Sequence, residues 1–143
     1  MTASHLTEPP PPALESAVTD VSVFHLATGT PVLFVPRFPE DDRVDLRVSL
    51  IVEEVTKDLL PAIARRDLVE TADAMVDSIY VIIGAALEFG IPIEQVWAAV
   101  QAANMAKAPG GRVVRRHDGK ILKPEGWQPP DVLGILRRAG YEP

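Results

Sequence analysis

The stretch that decides the fold is "DLVETADAMVDSIYVIIGAALEFG", Asp67 to Gly90. Leu68, Ala72, Met75, Ile79, Ile82, Ile83 and Ala86 recur mostly at intervals of three and four, which predicts a long helix with those residues on its buried face. Asp67 has the side chain to cap the first free amides, and Gly90 suits the left-handed turn that stops a helix after Phe89. Glu70, Asp73, Asp77 and Tyr80 are spaced three, four and three. At about 100° per residue they fall in a second, narrow stripe. Asp73 and Asp77 repel each other at that spacing, and no lysine is interleaved to relieve them.

The segment before it, "DDRVDLRVSLIVEEVTKDLLPAIARRD", reads as a partner helix starting near Asp41 or Asp42. Leu46, Leu50, Ile51, Val55, Leu59 and Ile63 mark its expected buried face, and Pro61 is expected to interrupt it. Glu53 and Glu54 lie on this helix, with Asp58 one turn beyond Glu54. The short "ARRD" turn predicts antiparallel packing, so the two acidic stripes face each other. Such a cluster repels itself unless a cation neutralises it, and hard divalent ions with oxygen ligands do that. The plainer reading is a solvated acidic surface, and spacing alone does not separate the two. Nor does it separate catalysis from structural metal binding.

Around this pair the chain reads as all-α, an antiparallel helical bundle in one domain over residues 13–143. The four prolines Pro9 to Pro12 predict a disordered tail over residues 1–12. Leu14, Ala17, Val18, Val21 and Phe24 give a first helix from Ala13 to about Leu26. "ATGTPVLFVPRFPEDD" is a connector whose "VLFV" is either a short extended piece or a strap over the helices. Pro92 starts a further helix with Ile93, Val96, Trp97 and Val100 on its buried stripe, Trp97 in the core or at a subunit interface. "PPDVLGILRRAG" supplies a short last helix.

The chain has 143 residues, no cysteine and a formal net charge of −6. Thiolate metal sites, disulfides and cysteine nucleophiles are excluded, and a general nucleic-acid binder would carry a basic footprint instead. The apolar run from Ile79 to Leu87 is far shorter than the roughly 20 residues of a membrane span. With no basic start followed by an apolar stretch, a secretory leader is not expected, and the reading is cytoplasmic. His5, His25 and His117 have no metal-ligand spacing and read as structural or exposed.

"LRVSLIVEE", "DLVETADAMVDSIYVIIGAALEFGI", "AANMAK" and "DGKILKPEGWQPPD" together resemble the all-α nucleoside triphosphate pyrophosphohydrolases, specifically the MazG-like and phosphoribosyl-ATP-pyrophosphohydrolase-like group. The resemblance runs in order from about Phe24 to Asp131. It implies hydrolysis of a nucleoside triphosphate to the monophosphate and pyrophosphate, in nucleotide-pool housecleaning, with Mg²⁺ (or Mn²⁺) on the triphosphate. It implies Glu53 and Glu54 as catalytic and metal-binding residues, joined on the metal by Asp58, Glu70, Asp73 and Asp77. Phosphoribosyl-ATP is the lesser substrate reading. The resemblance also implies a homodimer or dimer-based tetramer, and the long apolar stripes of a short chain point the same way.

One residue departs from the family's EExxE motif, because Lys57 stands where the third glutamate belongs. An ammonium there competes with a metal ion. A one-residue π-bulge would turn Asp58 inward to replace the glutamate, and Pro61 already removes the amide that would bond the Lys57 carbonyl. The competing expectation is a metal site weakened by Lys57, leaving a non-catalytic protein that binds nucleotide or a partner. Beyond the helices, Lys107, Arg112, Arg115, Arg116, Lys120 and Lys123 form a basic arm opposed in that stretch only by Asp118. Guanidinium and ammonium groups make charge-assisted bonds to phosphate, so the arm reads as a closing lid hinged at Gly110, Gly111 and Gly119. The substrate-binding residues expected here are Asn104, Lys107, Arg115, Lys120 and Lys123, the first two from the resemblance. A solvated basic tail is the plainer alternative.

Overall fold

The computed structural model describes residues 14–143; the proline-rich tail over 1–12 and the start of the first helix at Ala13 lie outside the described residues. The helices are α1 (Leu14–Thr28), α2 (Asp41–Ile51), a π-helical segment (Val52–Leu59), α3 (Leu60–Arg65), α4 (Leu68–Glu88), α5 (Ile93–Met105) and α6 (Val132–Arg138). Among the described residues no strand forms, and one isolated antiparallel bridge joins Arg115 to Ile121. The fold is an all-α bundle, as the periodicity of Asp67 to Gly90 predicts. No single helix among the described residues is long and apolar enough to cross a membrane.

Helix α4 is the central element, packed by α1, α2, α3 and the π-helical segment. Its start is capped by Asp67, whose Oδ1 accepts the Glu70 amide at 3.1 Å. It ends at Phe89, with Gly90 at φ +64°. The connector after α1 straps over this end: the Leu33 amide donates to the Leu87 carbonyl and the Arg37 amide to the Phe89 carbonyl, both at 2.9 Å. It therefore drapes over the helices instead of forming an extended strand.

Pro61 does not interrupt the second helix. From Asp41 to Arg65 the chain stays helical, and the π-helical segment absorbs the difficulty. The Leu60 amide bonds the Val55 carbonyl, five residues back, and Pro61 follows in the first turn of α3, where proline is tolerated. The missing amide thus falls where the bonding register changes.

The expected buried faces need correction. Leu68 is 80 % exposed and Trp97 60 %, and Leu46, Ile63, Ala72, Met75, Ile79, Ile82 and Val100 are exposed too. On α4 only Ile83 and Ala86 of the predicted face are buried. Phe24, expected inside on α1, is half exposed, while Val21 is buried. The reason lies in which stripe meets its neighbours. Helices at short range bury the small side of α4, Ala74, Ser78 and Ala85, and leave the bulky side uncovered within one chain.

At the far end of α4 a polar cluster occupies the interior. Glu88, 1 % exposed, accepts from Arg47 Nη2 at 2.7 Å and from Arg43. His25, also buried, has Nδ1 3.2 Å from the Pro31 carbonyl oxygen. Gly84 makes the room, since a Cβ there would stand 3.0 Å from both Arg47 Nη1 and His25 Nε2. Burial, with help from the Arg47 and Arg43 charges and against the Pro31 hydrogen bond and Glu88, lowers the His25 pKa below its ordinary value. The folded chain therefore binds less proton at His25 than the unfolded chain. Its contribution to stability is complete above about pH 6.5 and is lost as pH falls toward the lowered folded value. Thermal unfolding of the wild type and His25→Gln between about pH 7 and 5 should show a shallower decline in the variant. Parallel curves would mean that His25 keeps its ordinary pKa.

Candidate functional site

The π-helical segment and α4 form the most extensive helix pairing of the bundle, and a cavity of about 240 Å³ opens between them. Glu54, Lys57, Asp58, Arg65, Glu70, Asp73, Ala74 and Asp77 line it. Three carboxylates come from α4 at helical spacing, two from the π-helical segment. The wider π turn allows Glu54, Lys57 and Asp58 to reach the same cavity. Asp58 does turn to the acidic cleft, but Lys57 goes with it.

Of the expected acidic set, Glu54, Asp58, Glu70, Asp73 and Asp77 are brought together. Glu53 is exposed beside the cavity and does not line it, although its charge is felt by Glu54. Partial burial, then Asp77, Asp58, Glu53 and Asp73 in turn, push the Glu54 carboxyl above its ordinary value. Glu54 is the electrostatic focus of the cleft. Sequence reasoning missed Arg65, the second cation on the wall; its position in the "ARRD" turn between the acidic helices was the available signal. Tyr80 continues the acidic stripe but packs its ring edge-on against Phe24, with centroids 5.7 Å apart.

The donors are all oxygen, the right chemistry for a hard divalent ion. Their arrangement is not. Among the described residues no group of three or more carboxylates or histidines is placed to hold a metal ion. The Lys57 ammonium and Arg65 guanidinium share the space. As placed, these residues do not fit a Mg²⁺ ion.

The expected substrate residues stand elsewhere. None of Asn104, Lys107, Arg115, Lys120 or Lys123 lines the acidic cavity. Lys107 Nζ donates to Asn104 Oδ1 at 2.8 Å, and the Arg115 guanidinium donates to the Gly119 carbonyl at 2.9 Å. The segment after α5 closes into a small hairpin through Arg116 amide to Lys120 carbonyl and Leu122 amide to Val114 carbonyl, each 2.8 Å. Trp127 anchors the return by donating from Nε1 to the Ala103 carbonyl at 2.7 Å. The Lys123 and Lys107 ammonium groups lie 4.3 and 5.5 Å from its ring centroid. Lys107, Arg112 and Lys123 instead rim a second, mostly apolar cavity of about 360 Å³.

The profile of the family described as phosphoribosyl-ATP pyrophosphohydrolase matches residues 21–104. No individual curated protein matches the chain. The matched span takes in α2, the π-helical segment, α3 and α4, hence every residue of the acidic cavity, and stops before the basic hairpin. It covers more than half of the chain. The chain belongs to the phosphoribosyl-ATP pyrophosphohydrolase family, within its MazG-like range.

Proposed function

We propose that this chain is a nucleotide-binding member of a pyrophosphohydrolase family whose cation site is weakened by Lys57, so that hydrolysis is slow or absent. The observation that carries the reading is the shared cavity: Lys57 and Arg65 line it together with Glu54 and Asp58, and among the described residues no three carboxylates are placed to hold a metal ion. Lys57 and Arg65 offer phosphate oxygens two charge-assisted donors, but five carboxylates share the cavity, so a polyphosphate binds there as its divalent-cation complex. The same cations oppose a dense cluster of divalent ions. The ligand class is a nucleoside triphosphate, with phosphoribosyl-ATP as a lesser candidate. The functional unit is a homodimer or a dimer-based tetramer, supported by the uncovered apolar side of α4.

The test is titration calorimetry with a panel of nucleoside triphosphates, alongside pyrophosphate release in Mg²⁺ or Mn²⁺. The expected outcome is binding without appreciable release by the wild type. Lys57→Glu, which restores the motif, should raise release at least about tenfold, or about 1.4 kcal/mol in the barrier. Failure of every triphosphate to bind would end the proposal.

A second reading is favoured by one observation, the π-helical segment that carries Asp58 into the cavity. In it Asp58 substitutes for the missing glutamate, and the chain is a divalent-cation-dependent triphosphate pyrophosphohydrolase acting in nucleotide housecleaning. Glu53 and Glu54 then keep their catalytic assignment. Fast release by the wild type, abolished in Asp58→Ala, would select this reading over the first.

A further inference from the structure

We infer that the chain carries a second ligand site, for a small apolar α-amino acid or an equivalent zwitterion, where the connector crosses the end of α4. The inference does not rest on the nucleotide reading. A cavity of about 180 Å³ lies there between the connector, the start of α2 and Glu88. On α4, Glu88 stands about 16 Å along the helix from Asp77, so this is a different place from the acidic cleft.

The observation that points to a ligand is the state of Glu88. Its side chain is 1 % exposed, and both guanidinium groups bond one of its oxygens, Oε1. The other, Oε2, is buried with no hydrogen-bond partner, and Glu88 lines the cavity. A buried carboxylate oxygen left unpaired is costly, and only an N–H or O–H donor relieves it. Arg43 also lines the cavity, and its buried Nε lacks an acceptor. The Nε of Arg47 is unpartnered too, but Arg47 does not line this cavity. The site thus calls for a donor and an acceptor close together.

The exposed part of the lining repeats that pairing. Arg37 and Glu40 border the cavity, and neither joins an ion pair among the described residues. A guanidinium binds a carboxylate through two parallel bonds, and a carboxylate binds an ammonium group. An inorganic anion would meet Glu40 and Glu88 as like charges, and a metal cation would meet Arg37 and Arg43. A zwitterion serves both signs. Pro31, Leu33, Phe38 and Pro39 complete the lining, which suits an apolar side chain. The space far exceeds the roughly 10–15 Å³ that one water needs. A ligand seated here bridges the connector to α2 and α4, beside the Leu33 and Arg37 amide bonds that already hold it. It therefore stabilises the folded chain by mass action.

The probes are L-alanine, L-valine and L-leucine, added to the full chain at millimolar concentration. At least one should raise the melting temperature in a saturating manner. Acetate, isobutylamine and inorganic phosphate, which each carry one charge sign, should leave it nearly unchanged. Arg37→Gln and Glu40→Gln alter exposed positions and should fold normally, yet bind the active amino acid at least about tenfold and threefold more weakly. In ¹⁵N-edited NMR spectra the amides of Leu33, Arg37 and Arg43 should shift with ligand while those of Asp73 and Asp77 stay in place. Shifts confined to the acidic cleft, saturation indifferent to both substitutions, or no response to any of the three amino acids overturns the inference. An equal response to acetate or phosphate overturns it as well, by making the site one for simple anions. None of these readouts uses nucleotide, so their failure leaves the nucleotide reading standing.

Discussion

Glu88→Ala is expected to lower the folding stability of this chain by about 3–5 kcal/mol, enough to leave most of it unfolded or insoluble near 37 °C. Burial by itself would raise the Glu88 carboxyl; hydrogen bonds from Arg47 and Arg43, together with their charges, outweigh it and hold the pKa below the ordinary carboxylate range. Arg47 is buried, so removing its partner strands a guanidinium away from water. Arg43 is partly exposed and can recover solvent, which places most of the penalty on Arg47. Glu88→Gln should cost nearly as much, because the amide keeps the shape and loses the charge. The double variant Arg47→Met/Glu88→Leu should be far more stable than the sum of its single variants, since well-packed apolar replacement of a buried pair is often neutral. Urea denaturation of Glu88→Ala, Glu88→Gln, the double variant and its two single variants checks this, and additive losses would show that the ions act independently. The sign with pH follows from the lowered Glu88 value. The ion pair's stabilisation is present above the unfolded carboxylate pKa, near 4.5, and is lost as pH falls through the folded one.

Gly90→Ala is expected to cost about 2–4 kcal/mol, from a different cause. The residue sits at φ +64°, where a side chain is strained, and its Cβ would stand 2.4 Å from the Val35 carbonyl oxygen. That neighbour is backbone and cannot swing away. The connector would have to lift, loosening the Leu33 and Arg37 hydrogen bonds to the end of α4. Gly29→Ala is the matched control: φ is +67°, yet nothing lies within 4 Å of the added Cβ. It should lose only the backbone term, about 1–2 kcal/mol. Equal losses at the two positions, measured by thermal unfolding, would mean that the connector yields freely.

Much of the candidate site is legible in the sequence. Glu70, Asp73 and Asp77 share a cavity because helical spacing leaves them no choice. Glu54 joins them because the "ARRD" turn is too short for anything but an antiparallel return. The π-helical widening was legible in the conflict between Lys57, Asp58 and Pro61. Glu53 stands outside the lining because the distorted helix leaves only part of its acidic side toward α4. Arg65 escaped because the face that the last turn of α3 presents depends on the change of helical register upstream of it, which local propensity does not specify.

By itself the sequence determined the elements: where α4 begins and ends, that the chain is helical throughout its core, and which carboxylates line up. These are short-range matters of hydrogen bonding and periodicity, carried within a few residues. Only the tertiary structure decided which stripe of α4 is covered. It also decided that Glu88, Arg47 and His25 meet inside, and that Lys57 and Arg65 enter the acidic cleft. Those outcomes depend on the distance at which helices approach. Small residues permit the close contact, and the larger apolar side is left outward whatever its periodicity suggests.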